Sequence, residues 1–165
     1  MFVRNFYRVL ASHGFGGGAV SAVDQDGKTI SVYPSTTLDF NLDTAIGTST
    51  AYTSYIRLGT GDTPPTLDDF KLSGDFVTSI ASTVAAGSIV VNGDSISQSA
   101  TYTITNTGST EITIKEIAIF SGNKSTSSGY YKSVMIERSV LDSPVTIPAG
   151  GVGQVNYTIR LNLPA

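Results

Sequence analysis

Val155-Asn156-Tyr157-Thr158-Ile159-Arg160-Leu161-Asn162-Leu163 places an apolar side chain at every second position. A period of two is the signature of a β-strand, with Val155, Tyr157, Ile159, Leu161 and Leu163 on a dry face and the polar residues between them on the other. Working back from it, Thr101-Tyr102-Thr103-Ile104-Thr105 alternates in the same way, and Asn106-Thr107-Gly108 reads as a turn. Residues 111–120 return as a long strand, and residues 132–140 form another, followed by Val145-Thr146-Ile147-Pro148 leading into Gly150-Gly151. Strands at such short intervals, joined by Gly- and Asn-rich turns, predict an all-β, single-domain antiparallel β-sandwich of jelly-roll or immunoglobulin-like type.

The strand at 111–120 changes phase: Ile112 and Ile114 share one parity, Ile117 and Ile119 the other. Two arrangements account for this. A β-bulge near Lys115-Glu116 would return all four isoleucines to one face, or both faces of the strand are covered.

The first half is less regular. Val20 to Val23 and Lys28 to Tyr33 flank Asp24-Gln25-Asp26-Gly27, a hairpin turn whose glycine comes too early for a calcium loop. Leu38, Phe40 and Leu42 suggest a short strand, and residues 52–58 a clearer one ending at Gly59-Thr60-Gly61. Pro64-Pro65 then forbids a ladder, and Thr66 with Asp69 resembles a capped turn. Residues 76–91 read as one or two strands broken near Ala85-Ala86-Gly87, and residues 121–129 as a Gly/Ser-rich loop.

At the other end, Phe2, Phe6, Val9 and Leu10 recur at helical spacing and predict a short N-terminal amphipathic helix, followed by glycines at positions 14 and 16–18. About three turns of helix are too short to stand alone in water, so the apolar face packs on its own sheet or serves as an assembly arm on a neighbouring subunit. The domain plan is therefore a helix and glycine hinge over residues 1–18 and a β-sandwich over 19–165.

Composition narrows the function. Charged residues are 14% of the chain, against roughly 25% in ordinary soluble domains, while Ser and Thr together supply about a quarter. A net charge of −3 offers no basic field for phosphates, which argues against nucleic acid. With no cysteine there is no disulfide framework and no thiolate metal site. No apolar run approaches the roughly 18 residues that span a bilayer, and no secretory signal is legible, so no membrane partner is expected.

Catalytic chemistry is not legible either. A serine-type hydrolase would need a positioned His beside Ser, and the single histidine, His13, lies in the glycine hinge, where nothing would hold it in position. Gly14, Gly16 and Ala19 match the spacing of a dinucleotide turn but follow a helix rather than a strand. Asp62, Asp68 and Asp69 could bind a cation, though acids in a first helical turn are ordinary. The expectation is a non-enzyme without catalytic, cofactor or metal residues.

Two features stand out as structural. Glu116 sits inside an apolar run, where an unpaired carboxylate would be costly; it either pairs with Arg138 of another late strand or is an exposed bulge carboxylate. Tyr130-Tyr131 at a loop end could stack on a sugar face or pack at the loop base.

Three segments together, Met1 to Tyr7, Ile56 to Thr66 and Lys115 to Phe120, resemble small structural proteins of tailed bacteriophages. So does the ending, Val134-Met135-Ile136-Glu137-Arg138 with residues 145–151 and the closing strand. Where the family pattern has glycine, Ala118 stands here. The resemblance implies a virion component such as a capsid decoration or head-fibre subunit, or a tail or adaptor part. Its partners would be copies of itself and other capsid or tail proteins, and no catalytic residues carry over. The alternative function is a carbohydrate- or receptor-binding module of a phage fibre; an accessory domain of a secreted enzyme would need a catalytic neighbour.

Overall fold

The computed structural model describes residues 1–14, 18–32, 46, 54–124 and 131–162. The expected strand at Leu38 to Leu42, Gly16 and Gly17 of the hinge, and Tyr130 of the Tyr130-Tyr131 pair lie outside them, as does the rest of the loop beyond Lys124.

The fold is all-β and of antiparallel sandwich type, with one short N-terminal helix. Its elements are α1 (Arg4–Gly14), β1 (Val20–Val23), β2 (Thr29–Val32), β3 (Ser54–Gly59), β4 (Ile80–Ala86), β5 (Val90–Asn92), β6 (Ser95–Asn106), β7 (Ile112–Lys124), β8 (Tyr131–Ile147) and β9 (Val152–Asn162). Chain contacts define two compact units. The first comprises Met1–Phe40, Ile46–Val77 and Ile114–Pro144, the second Asn41–Ala45, Thr78–Thr113 and Val145–Ala165. α1 belongs to the first unit together with the β1–β2 hairpin.

In the first unit, β1 and β2 pair around the Asp24 turn, where Gly27 takes a φ of 79°. The Asp24 Oδ1 accepts the backbone N–H groups of Asp26 and Lys28 and so closes the turn. A second sheet runs β3-β7-β8. Its far edge is extended by the first residues of the chain: Phe2 bridges Glu137, the Val3 N–H donates to the Ile136 carbonyl, and the Arg138 N–H to that of Met1. α1 then buries Phe6 and Val9, as the preceding edge segment buries Val3, and fixes β1 through Asn5, whose amide donates to the Val23 carbonyl while its oxygen accepts the Val23 N–H. Val3, Tyr55, Leu72, Ala118, Phe120 and Met135 form one apolar cluster, with Phe76 packed against it.

The β3–β7 register runs without a break from Ser54↔Ser121 to Gly59↔Glu116, so no bulge interrupts this pairing. Every β7 residue from Glu116 to Phe120 is buried instead. Both faces are covered within one chain, which explains the change of phase: Glu116, Ala118 and Phe120 supply one interior and Ile117 and Ile119 the other. β7 also continues through Ser121–Lys124 where a loop was expected, and β8 runs unbroken to Ile147.

In the second unit, β6 is the central strand, flanked by β4 and β5 on one side and β9 on the other. One face carries Ala100, Tyr102, Ile104, Val155 and Tyr157, all buried. The corner is held by Asn106, itself fully buried. Its amide nitrogen donates to the carbonyls of Thr110, Ile147 and Pro148, its side-chain oxygen accepts the Gly108 N–H, and its backbone exchanges bonds with Gly150 and Gly151. Replacing Asn106 by Ala should cost about 2–3 kcal/mol, because it strands buried carbonyls without donors. The check is a lowered urea midpoint at unchanged m-value; an unchanged midpoint would show that the corner holds without this side chain.

Candidate functional site

The densest polar arrangement in the first unit is built around Glu116 and Arg138, on neighbouring strands β7 and β8. Arg138 is 1% exposed and Glu116 not at all, and the Arg138 Nε donates to Glu116 Oε2 at 2.7 Å. The rest of the guanidinium is engaged too: Nη1 meets Asp69 Oδ2 at 2.7 Å and Nη2 donates to the Thr63 carbonyl at 2.7 Å. Asp69 in turn accepts the Thr66 N–H and hydroxyl, which makes the capped turn expected at Thr66 a link in this network.

Glu116 does more than neutralise Arg138. Its Oε1 accepts the N–H groups of Gly61 (3.0 Å) and Gly74 (2.8 Å), and its Oε2 accepts the Ser73 N–H (3.0 Å) and hydroxyl (3.2 Å). One carboxylate thus holds both ends of the excursion that leaves β3 at Gly59 and returns at Phe76, where the two residues bridge. Glycine at 59 is required by contact: a Cβ there would lie 2.6 Å from Glu116 Oε1. Gly61 and Gly74 pack backbone to backbone, so a side chain on either would strike the other.

The electrostatics follow from these bonds. Burial alone pushes the Glu116 carboxyl up, but the Ser73 and Gly74 N–H groups and the Arg138 guanidinium outweigh it and hold the group below the usual carboxylate range. Asp69 behaves alike: burial raises it, while Thr66 and Arg138 bring it below its ordinary value. Glu137 goes the other way, pushed up by burial despite the Met1 ammonium bonded to it.

The three acids considered for a cation do not converge. Asp62 pairs with Lys115, Asp68 with Arg4 and Asp69 with Arg138. Among the described residues no group of three or more His, Asp or Glu side chains is placed to hold a metal ion, and no helix is long and apolar enough to cross a membrane. α1 extends through Gly14, so His13 has a helical backbone rather than a hinge position. Of the residues assigned to an assembly arm, Phe6 and Val9 are interior to the first unit, Phe2 is half-buried with its ring stacked on Phe6 at 4.1 Å, and Leu10 is 43% exposed.

Two surfaces of the second unit complete the inventory. The outer face of β6 and β9 carries a ladder of neutral polar pairs beside Arg160: the Ser99 and Thr158 hydroxyls lie 2.8 Å apart, Thr101 donates to Asn156 at 2.8 Å, and Gln154 to Thr103 at 3.4 Å. At the β5–β6 hairpin, Ile89, Val90 and Val91 are 66%, 55% and 70% exposed, a run of three β-branched side chains in contact with solvent. Neither surface was singled out from the sequence, although the run of three consecutive β-branched residues was visible there.

No protein-family model, curated protein or solved structure matches the chain. The arrangement itself defines a class: a β-framework whose buried charges order its own backbone, with its distinctive surfaces lying elsewhere.

Truncating either Glu116 or Arg138 should cost about 3–5 kcal/mol, since each leaves a buried charge without its partner. The double variant Glu116→Leu/Arg138→Met should lose markedly less than the sum of the singles; strictly additive losses in chemical denaturation would show that the two side chains act independently.

Because the folded-state pKa values of Glu116 and Asp69 lie below their unfolded values of about 4.3 and 3.9, the unfolded chain binds more protons in acid. Their contribution is complete above those unfolded values and is lost as pH falls through the folded ones. Stability should therefore decline below about pH 4–5. Glu116→Gln should flatten that limb, and subtracting its profile from the parent profile cancels Glu137; parallel profiles would remove Glu116 from the account.

Proposed function

We propose that this chain is a structural component of a tailed-phage virion that self-assembles on the capsid or tail, as a decoration, auxiliary capsid, tail or adaptor subunit. The observation that carries the reading is the exposed Ile89-Val90-Val91 run at the β5–β6 hairpin. Three consecutive exposed apolar residues on a sheet-edge hairpin are a liability in a free monomer and an asset in a subunit that buries them against protein. Both Val90 and Val91 are exposed although they point to opposite faces of the strand, so a covering partner would have to enclose the hairpin rather than lie on one side of it.

Three further features support the same reading. The weakly charged Ser/Thr surface suits close packing between copies. The polar network of the first unit is fully committed to holding its own backbone, which is what a framework does. The resemblance of residues 1–7, 56–66, 115–120, 134–138 and 145–151 to virion proteins points the same way.

Wild-type protein should show concentration-dependent association in sedimentation velocity. Val90→Lys/Val91→Lys should shift it toward monomer with melting changed by no more than about 0.5 kcal/mol, as expected for exposed sites. Monomeric wild-type protein at all concentrations, or specific binding on a glycan array by the isolated chain, would displace this reading in favour of the fibre-module alternative.

A further inference from the structure

A cleft in the first unit is lined by Arg4, Asn5, Arg8, Val23, Asp68, Asp69 and Phe70 and encloses about 160 Å³. Its charges are unevenly used. Arg4 spends its Nε on Asp68, and Asp69 is saturated by Thr66 and Arg138. Arg8, half-buried one helical turn after Arg4, has no ion-pair partner among the described residues. Its guanidinium fork is built to bind a carboxylate bidentately, and the Phe70 ring provides an apolar wall beside it. Tyr7, the neighbour of Arg8 on α1, and Leu67, whose carbonyl accepts the Arg4 N–H, are 53% and 44% exposed. The cleft therefore presents a positive charge bordered by apolar surface.

The complementary combination occurs on the same chain. At the β5–β6 turn, Asp94 is exposed and unpaired among the described residues, two positions after β5. It follows the exposed Ile89, Val90 and Val91, and Gly93 makes the turn with a φ of 54°. No Lys or Arg occurs between residues 72 and 114, so nothing on this hairpin would suit an anionic lipid surface, and its single acid would oppose one.

We propose that the β5–β6 hairpin of one copy docks at the α1 cleft of the next, with the Asp94 carboxylate on the Arg8 guanidinium and the Ile89–Val91 run against Tyr7, Leu67 and Phe70. The inference rests on the self-association reading and specifies its contact. A hairpin on one unit meeting a cleft on the other joins two different surfaces, so every copy would offer both halves of the contact.

The test is a charge swap in the full-length chain, read by sedimentation velocity. Arg8→Asp and Asp94→Arg should each weaken association by about tenfold or more, and Arg8→Asp/Asp94→Arg should recover most of the loss, as coupled interface charges do. Asp94→Arg lies on an exposed turn, so it keeps the test valid if Arg8→Asp perturbs α1. Association by the wild type that survives both single changes, or a double variant no better than the worse single, overturns this contact while leaving self-assembly standing. A wild type that does not associate at all removes the self-association reading, and the contact with it.

Discussion

The Glu116 carboxylate is the constraint on which the first unit depends. A carboxylate removed completely from water must be surrounded by donors, and here five converge on it, three from the backbone of the excursion between β3 and β4 and two from the side chains of Ser73 and Arg138. The requirement works in both directions. The excursion has no ladder of its own to satisfy its N–H groups, and Glu116 supplies the missing acceptors. Gly59 and Gly61 follow from this, because a Cβ on either would lie 2.6 Å from Glu116 Oε1, and Gly74 follows from its close packing on Gly61.

Such a network is poor evidence for high net stability, since desolvating two charges consumes much of what their attraction returns. Its contribution is specificity. Arg138 reaches three acceptors in three directions, Glu116, Asp69 and the Thr63 carbonyl, so the excursion can sit in one position only if all are to be met. An apolar core of the same volume would tolerate sliding by a residue. The second unit solves its corner problem with a neutral group: Asn106 combines donor and acceptor in one side chain and ties residues 108, 110, 147 and 148 together without any charge to desolvate.

How much of this was legible follows from the range of the signals. The alternation of residues 155–163 is local, and it identified β9 and the all-β class. Glu116 was legible because an ionisable side chain in an apolar run violates a local rule, and Arg138 because it stood in another strand with a suitable head group. The phase change in β7 was visible but ambiguous, since a bulge and a doubly covered strand leave the same pattern; the burial of every residue from Glu116 to Phe120 shows the doubly covered strand. Ser73, Gly74 and Asp69 were illegible as partners of those residues, because nothing near them in sequence says which carboxylate or guanidinium they will face. Asn106 was read as an ordinary turn residue, and its long-range bonds to Ile147 and Pro148 depend on a pairing that local sequence does not state.

The same distinction bears on function. A catalytic centre leaves local traces, because its chemistry needs particular residue types held at particular positions, whereas an assembly surface is made of ordinary residues in unusual exposure. Ile89, Val90 and Val91 would be unremarked in a core, and Arg8 would be unremarked in an ion pair. What distinguishes them is that the fold leaves the first three in solvent and the last without a counter-charge among the described residues, while it commits Glu116, Asp69 and Arg138 completely. The contrast lies between a buried network that holds its own backbone and a surface that carries an apolar hairpin and, among the described residues, a guanidinium without a counter-charge, the two features on which the proposed self-association rests.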